Sequence, residues 1–141
     1  MSHQLDLLLY TEQFSVLKFA SGAKVPKLID DLPFYSITRT PEELSIVTLQ
    51  PSSEVMQELL EKDGMVAYEN DWRCMKVQGP LDFSLIGILS NLSTTLAQAK
   101  ISIFAISTYD TDYLLVKQST VDRAKEELEK VGHTITIKSI F

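Results

Sequence analysis

The sequence predicts an α+β protein of two β-α-β-β-α-β units packed together, each an antiparallel sheet with helices on one face. Three observations predict this. The second half of the chain runs through strand-period and helix-period apolar patterns in that order. The first half repeats the order less regularly, so that Ile37, Ile46 and Val47 fall on Ile106, Leu115 and Val116, and Glu43 on Asp112. A unit of about 60 residues buries too little surface to be comfortable alone, so two such units in a 141-residue chain are expected to pack on each other.

In the first half, residues 5–10 and 14–19 read as two strands, and residues 26–31 suit a short helix. Residues 34–39 and 44–49 flank a turn at Thr40, Pro41 and Glu42. Residues 53–62 then suit a helix, and residues 65–68 a strand. In the second half, residues 72–78 alternate as a strand that Gly79 and Pro80 break. From residue 83 to 99, Leu85, Ile88, Leu89, Leu92, Leu96 and Ala99 recur at spacings of three and four, one apolar helix face. Asp82 or Ser84 is placed to cap its first turn. Gly87 falls inside this helix at a cost of about 1 kcal/mol relative to Ala, which a close approach of another backbone would offset.

Residues 101–107 are rich in β-branched and aromatic types and predict a strand. A turn of Thr and Asp at 108–112 and a second strand at 113–117 make a hairpin. Ser119 and Asp122 have capping-box spacing. Val121, Ala124, Leu128 and Val131 mark a helix face that Gly132 stops, and residues 134–139 alternate as a closing strand. This order is the split pattern of ferredoxin-like folds. The expected division is residues 1–70, a divergent first unit, and residues 71–141, a second.

Composition excludes several functions. The formal net charge of −6 opposes a nucleic-acid surface or an anionic membrane as partner. The excess lies wholly in residues 1–70, where 11 acids face 5 bases, while residues 71–141 hold 8 of each. No apolar run approaches the roughly 18 residues of a membrane span, and residues 1–9 show no secretory pattern. With a single cysteine, Cys74, no internal disulfide forms, and a cytoplasmic protein is expected. Catalysis has no address: Cys74 reads as a buried strand residue, His3 is terminal, and His133 reads as an electrostatic complement to the preceding helix end. Two scattered His and one Cys supply neither a triad nor metal-ligand spacing, and there is no glycine-rich phosphate loop. Asp122 to Lys130 reads as a solvated helix face with Glu126 one turn from Lys130. No enzyme, cofactor or metal site is therefore expected.

Residues 83–89 and, above all, 101–116, with Ser107, Thr108, Tyr109, Asp110, Thr111 and Asp112 in sequence, resemble the ACT-domain superfamily. Within it they are similar to the tandem group that includes the CASTOR arginine sensors and small bacterial ACT proteins. The resemblance covers residues 72–133 and, in the first half, mainly 34–47. It implies a non-catalytic regulatory module that binds an amino acid at an interface between ACT units. It also implies roles for particular positions: backbone groups at Ser102 and Ile103, and contacts from Thr108, Tyr109 and Asp112. An acidic pocket residue of the sensors falls on Leu85, a departure that speaks against arginine while leaving another amino acid suitable.

The chemistry agrees with such a site. A zwitterion needs a helix N-terminus for its carboxylate, and Gly79 and Asp82 lie in the loop that enters the helix at 83. Asp112 suits the ammonium group and Tyr109 a ligand side chain. Asp110 and Asp112 would equally cap a hairpin turn without any ligand. The partners expected are an amino acid or similar small ligand, a second copy in a homo-oligomer and a regulated protein. The competing reading is an interaction or scaffold module of the same fold with no functional pocket.

Overall fold

The computed structural model describes residues 4–78 and 87–141. Its strands are β1 (Asp6–Phe19), β2 (Tyr35–Arg39), β3 (Leu44–Leu49), β4 (Met65–Val77), β5 (Phe104–Ser107), β6 (Asp112–Lys117) and β7 (Thr134–Lys138). Among the described residues the helices are α1 (Ser53–Lys62), α2 (Ile88–Gln98) and α3 (Val121–Lys130), none long and apolar enough to cross a membrane. Single 3-10 turns lie at Lys27–Ile29 and Gln118–Thr120; the helix expected over 26–31 is only the first of these. The chain forms two compact units, residues 12–72 with 141 and residues 1–11 with 73–140. Residues 4–11 thus group with the C-terminal unit.

Two pairs of expected strands are continuous. Residues 5–10 and 14–19 form the single strand β1, and the strands expected at 65–68 and 72–78 form β4. Thr11, Glu12 and Gln13 interrupt the apolar alternation, but they include neither Gly nor Pro and leave the backbone free to continue its ladder.

In the unit of residues 12–72 the strand order is β2-β3-β1-β4. β3 is antiparallel to both neighbours, with Phe14 opposite Leu49 and Tyr35 opposite Thr48. Leu17, Phe19, Ile29, Leu44, Ile46 and Leu59 are wholly buried in its core. Each such side chain contributes about 1.5–3 kcal/mol relative to exposure. α1 is capped by Ser52, whose Oγ accepts from the Val55 N–H at 3.2 Å.

In the unit of residues 1–11 and 73–140 the order is β7-β1-β4-β6-β5. β5 and β6 form the expected antiparallel hairpin, Phe104 opposite Leu115. β7, however, runs parallel to β1, Asp6 opposite Thr134, so the sheet is not wholly antiparallel as expected. The cause is the length of β1, whose first residues supply one more strand than the repeat pattern counts. Leu92 and Leu96 of α2 and Leu128 of α3 are fully buried against Leu7, Met75 and Leu114.

The helix ends depart from expectation in specific ways. Gly87 is not inside α2 but its N-cap, at φ +81°, and a Cβ there would meet nothing within 4 Å. A left-handed backbone, not close approach, is what requires glycine. α3 begins after Thr120, which makes no side-chain cap, so the box expected from Ser119 and Asp122 does not form. Lys130 pairs with Glu127 at 3.1 Å, not with Glu126.

α2 ends with Lys100 in the left-handed region, φ +61°, while the Ile101 N–H donates to the Leu96 carbonyl at 2.9 Å. Lys100→Gly is expected to stabilise the protein by about 0.5–1 kcal/mol, the relief of Cβ crowding less the entropy of glycine. An unchanged or lower thermal midpoint would count against this reading.

Candidate functional site

The residues that sequence reasoning assembled fall at one end of the β5–β6 hairpin and before β5. Ser107 and Asp112 are the last paired residues of the hairpin, and the Ser107 hydroxyl donates to Asp112 Oδ1 at 2.6 Å. Beyond them the chain turns: the Thr108 N–H donates to the Thr111 carbonyl at 2.8 Å, and the Thr111 N–H to Thr108 Oγ1 at 3.3 Å. Tyr109 and Asp110 form the tip, where Tyr109 is 82% exposed. Thr108 is exposed and Asp112 half-buried.

What holds this turn in place is Thr111, which sequence reasoning did not single out. Its side chain is buried and donates from Oγ1 to the Val77 carbonyl at 2.5 Å. Val77 ends β4, and the next residue, Gln78, donates its N–H to Asp6 at 2.8 Å. The turn is therefore tied to the last residue of the strand that leads towards Gly79. Only its place between two acids distinguishes Thr111 in the sequence, and neither periodicity nor motif spacing reveals the distant carbonyl it needs.

Ser102 and Ile103 lie before the ladder, which begins at Phe104, so their backbone groups are not engaged in the β5–β6 pairing. Ser102 is exposed, and Ile103 packs against the apolar core. Gly79, Asp82, Ser84 and Leu85 lie outside the described residues. α2 itself starts at Ile88 and has no side-chain cap.

The electrostatics of the neighbourhood are those of a half-buried hairpin. Burial raises the Tyr113 phenol above its ordinary value, and Cys74 and Asp110 raise it further. Burial alone pushes the Cys74 thiol far up, which keeps it protonated and non-nucleophilic. His133 is also buried, and its role differs from the expected one. Its Nδ1 accepts from the Leu5 N–H at 3.1 Å, so Nε2 carries the proton and donates to Asn91 Oδ1 at 3.2 Å. Burial lowers its pKa; the ring is a neutral connector and not a cation at a helix end.

Comparison with known proteins finds a family match for part of the chain. The family model of the ACT domain matches residues 67–130, and a model of a separate N-terminal domain matches residues 12–52. The chain is 30% identical over 110 residues to the human protein CASTOR3P, covering 73% of this chain and 61% of that protein. It is 28% identical over 107 residues to the bovine cytosolic arginine sensor for mTORC1 subunit 1, covering 72% of this chain and 30% of that one. The chain thus spans less than two thirds of the length of either relative. A crystal structure of an Agobacterium tumefaciens protein is similar at TM-score 0.82 and 28% identity, over 97% of this chain and 96% of that one. The regulatory subunit of aspartate kinase from Thermus thermophilus shares the fold at TM-score 0.60 and 10% identity, over 88% and 95% of the two chains. Residues 67–130 thus match the ACT-domain family, and the chain is similar in sequence to the CASTOR proteins.

Proposed function

We propose that this protein is an amino-acid-binding regulatory module and not an enzyme. In this reading the sequence repeat of residues 1–70 and 71–141 descends from one ferredoxin-like unit with helices on one face, although residues 4–11 group with the second half. The ligand lies at the β5–β6 turn, at an interface completed by a second copy of the chain in a cytoplasmic homo-oligomer. The backbone at Ser102 and Ile103 and the loop of Gly79 and Asp82 take the carboxylate, Asp112 takes the ammonium group, and Thr108 and Tyr109 contact the side chain. The relation to a bovine arginine sensor supports an amino acid as ligand. A bound amino acid would shift conformation or assembly, and so a regulated protein partner, to the extent that it binds one state better than the other.

The observation that carries this reading is the anchored turn: Thr111 fixes the backbone to Val77 while Thr108 and Tyr109 remain exposed. A second reading, a scaffold without a pocket, draws on the Ser107–Asp112 bond, which uses the acid within the hairpin. Titration calorimetry against the twenty amino acids, on the native chain and on Asp112→Ala, separates the two. The sensor reading expects heat and a thermal shift with one amino acid or a few, weakened at least about tenfold in Asp112→Ala (about 1.4 kcal/mol or more) with the fold retained. No response from any amino acid, or a response indifferent to the substitution, favours the scaffold.

A further inference from the structure

The unit of residues 12–72 with 141 contains a cavity of about 640 Å³, within the roughly 300–1,000 Å³ of small-molecule sites. Its walls are mainly apolar and include Leu28, Leu32, Val55 and Phe141. Leu28 and Phe141 remain exposed, so an occupant would cover apolar surface that now meets water.

The polar lining decides the chemistry of that occupant. Gln50 and Ser52 stand on the segment between β3 and α1, either side of Pro51, which has no N–H to offer. Gln50 Oε1 accepts from the Asp71 N–H at 2.8 Å, which fixes the orientation of the amide and leaves Nε2, a donor, for a ligand. Ser52 Oγ accepts from the Val55 N–H at 3.2 Å, so its hydroxyl proton is what it can give. Both groups therefore call for an acceptor. Among the described residues no lysine or arginine lines the cavity, and residues 12–72 hold 11 acids against 5 bases. A carboxylate would enter without a counter-ion and against the net field. Glu12, the acidic side chain of the lining, already has an interaction of its own, for which an ammonium group would have to compete. A charge of either sign would lose its hydration against apolar walls with no partner waiting. The acceptor that fits is uncharged.

We propose that this cavity binds a neutral organic carbonyl compound, a ketone, ester or amide with a hydrocarbon body. Its oxygen accepts from Gln50 Nε2, with the exposed Ser52 hydroxyl as a second donor, and its body lies against Leu28, Leu32, Val55 and Phe141. This site is separate from the hairpin residues 102–112 and differs from them in chemistry. It stands whether or not those residues bind an amino acid.

The test is an NMR titration of the full chain with 4-phenyl-2-butanone. In parallel it uses 4-phenylbutan-2-amine and 3-phenylpropionate, similar bodies bearing a positive and a negative charge. The ketone is expected to move the backbone signals of Leu28, Leu32 and Val55 and the side-chain NH2 signals of Gln50, and the charged probes to leave them in place. Gln50→Glu keeps an oxygen for the Asp71 N–H but removes the donor. It is expected to weaken the ketone about fivefold, the effect of one hydrogen bond. The proposal is overturned if the ketone moves none of these signals at millimolar concentration, if either charged probe moves them equally, or if Gln50→Glu binds the ketone as tightly as the native chain. Ketone shifts confined to residues 102–112 also overturn it. So do shifts of Leu28 and Val55 on simple dilution of the protein, which would mean that a second copy covers the cavity. The comparison of the three probes on the native chain decides the question even if the variant fails to fold.

Discussion

Acidification below about pH 6.5 is expected to destabilise the unit of residues 1–11 and 73–140, and His133→Ala is expected to remove that dependence. His133 joins three elements: it meets the Leu5 N–H just before β1, Asn91 on α2, and through its own N–H the Leu128 carbonyl of α3 at 3.2 Å. A proton on Nδ1 would set two donors against each other at Leu5. Burial places the folded pKa below the ordinary 6.5, so the unfolded chain binds the proton more readily. The stability is therefore fully present above pH 6.5 and is lost as the pH falls from there through the lower folded value. His133→Ala leaves the Leu5 N–H and the Asn91 amide without this partner, a loss of about 2–3 kcal/mol near neutral pH. Urea unfolding between pH 5 and 8 measures both effects. An identical pH slope in the variant would remove His133 as its source.

Phe14→Ala is expected to cost about 3–5 kcal/mol, the range for truncating a buried Phe. Its ring is fully buried and meets Phe34 edge to face, with centroids 5.4 Å apart and planes at 82°. Its backbone pairs with Leu49. The loss is a large fraction of the 5–15 kcal/mol that stabilises a typical domain, and it falls in the unit of residues 12–72. Hydrogen exchange is expected to rise first at β1 and β3 of that unit, at Val16, Leu17, Ile46 and Val47. A loss below about 1 kcal/mol would mean that Phe34 and its neighbours close over the gap.

Much of the fold was legible because local patterns report local burial. The strand Leu44–Leu49 and the helix Ser53–Lys62 fall where the residue pattern places them. The β5–β6 hairpin and the helix ended by Gly132, at φ +102°, follow from turn chemistry. β1 and β4 were read as shorter strands because Thr11, Glu12 and Gln13, and likewise Glu69, Asn70 and Asp71, interrupt the apolar period while each strand runs on. Asp71 even adopts φ +66° within β4, its N–H taken by Gln50 from 21 residues away.

The candidate site divides in the same way. Residue types and order identified the Thr108–Asp112 turn, where the Thr108 side chain bonds the backbone of Thr111. Its attachment through Thr111 to Val77, the neutral linking role of His133, the insertion of β1 beside a parallel β7, and the cavity beside Glu12 were decided only by tertiary structure. Periodicity and capping depend on neighbours within a few positions, so the amino-acid order determines them by itself. A buried hydroxyl, an imidazole or an open space owes its character to groups far along the chain, and those meet only once the backbone has folded.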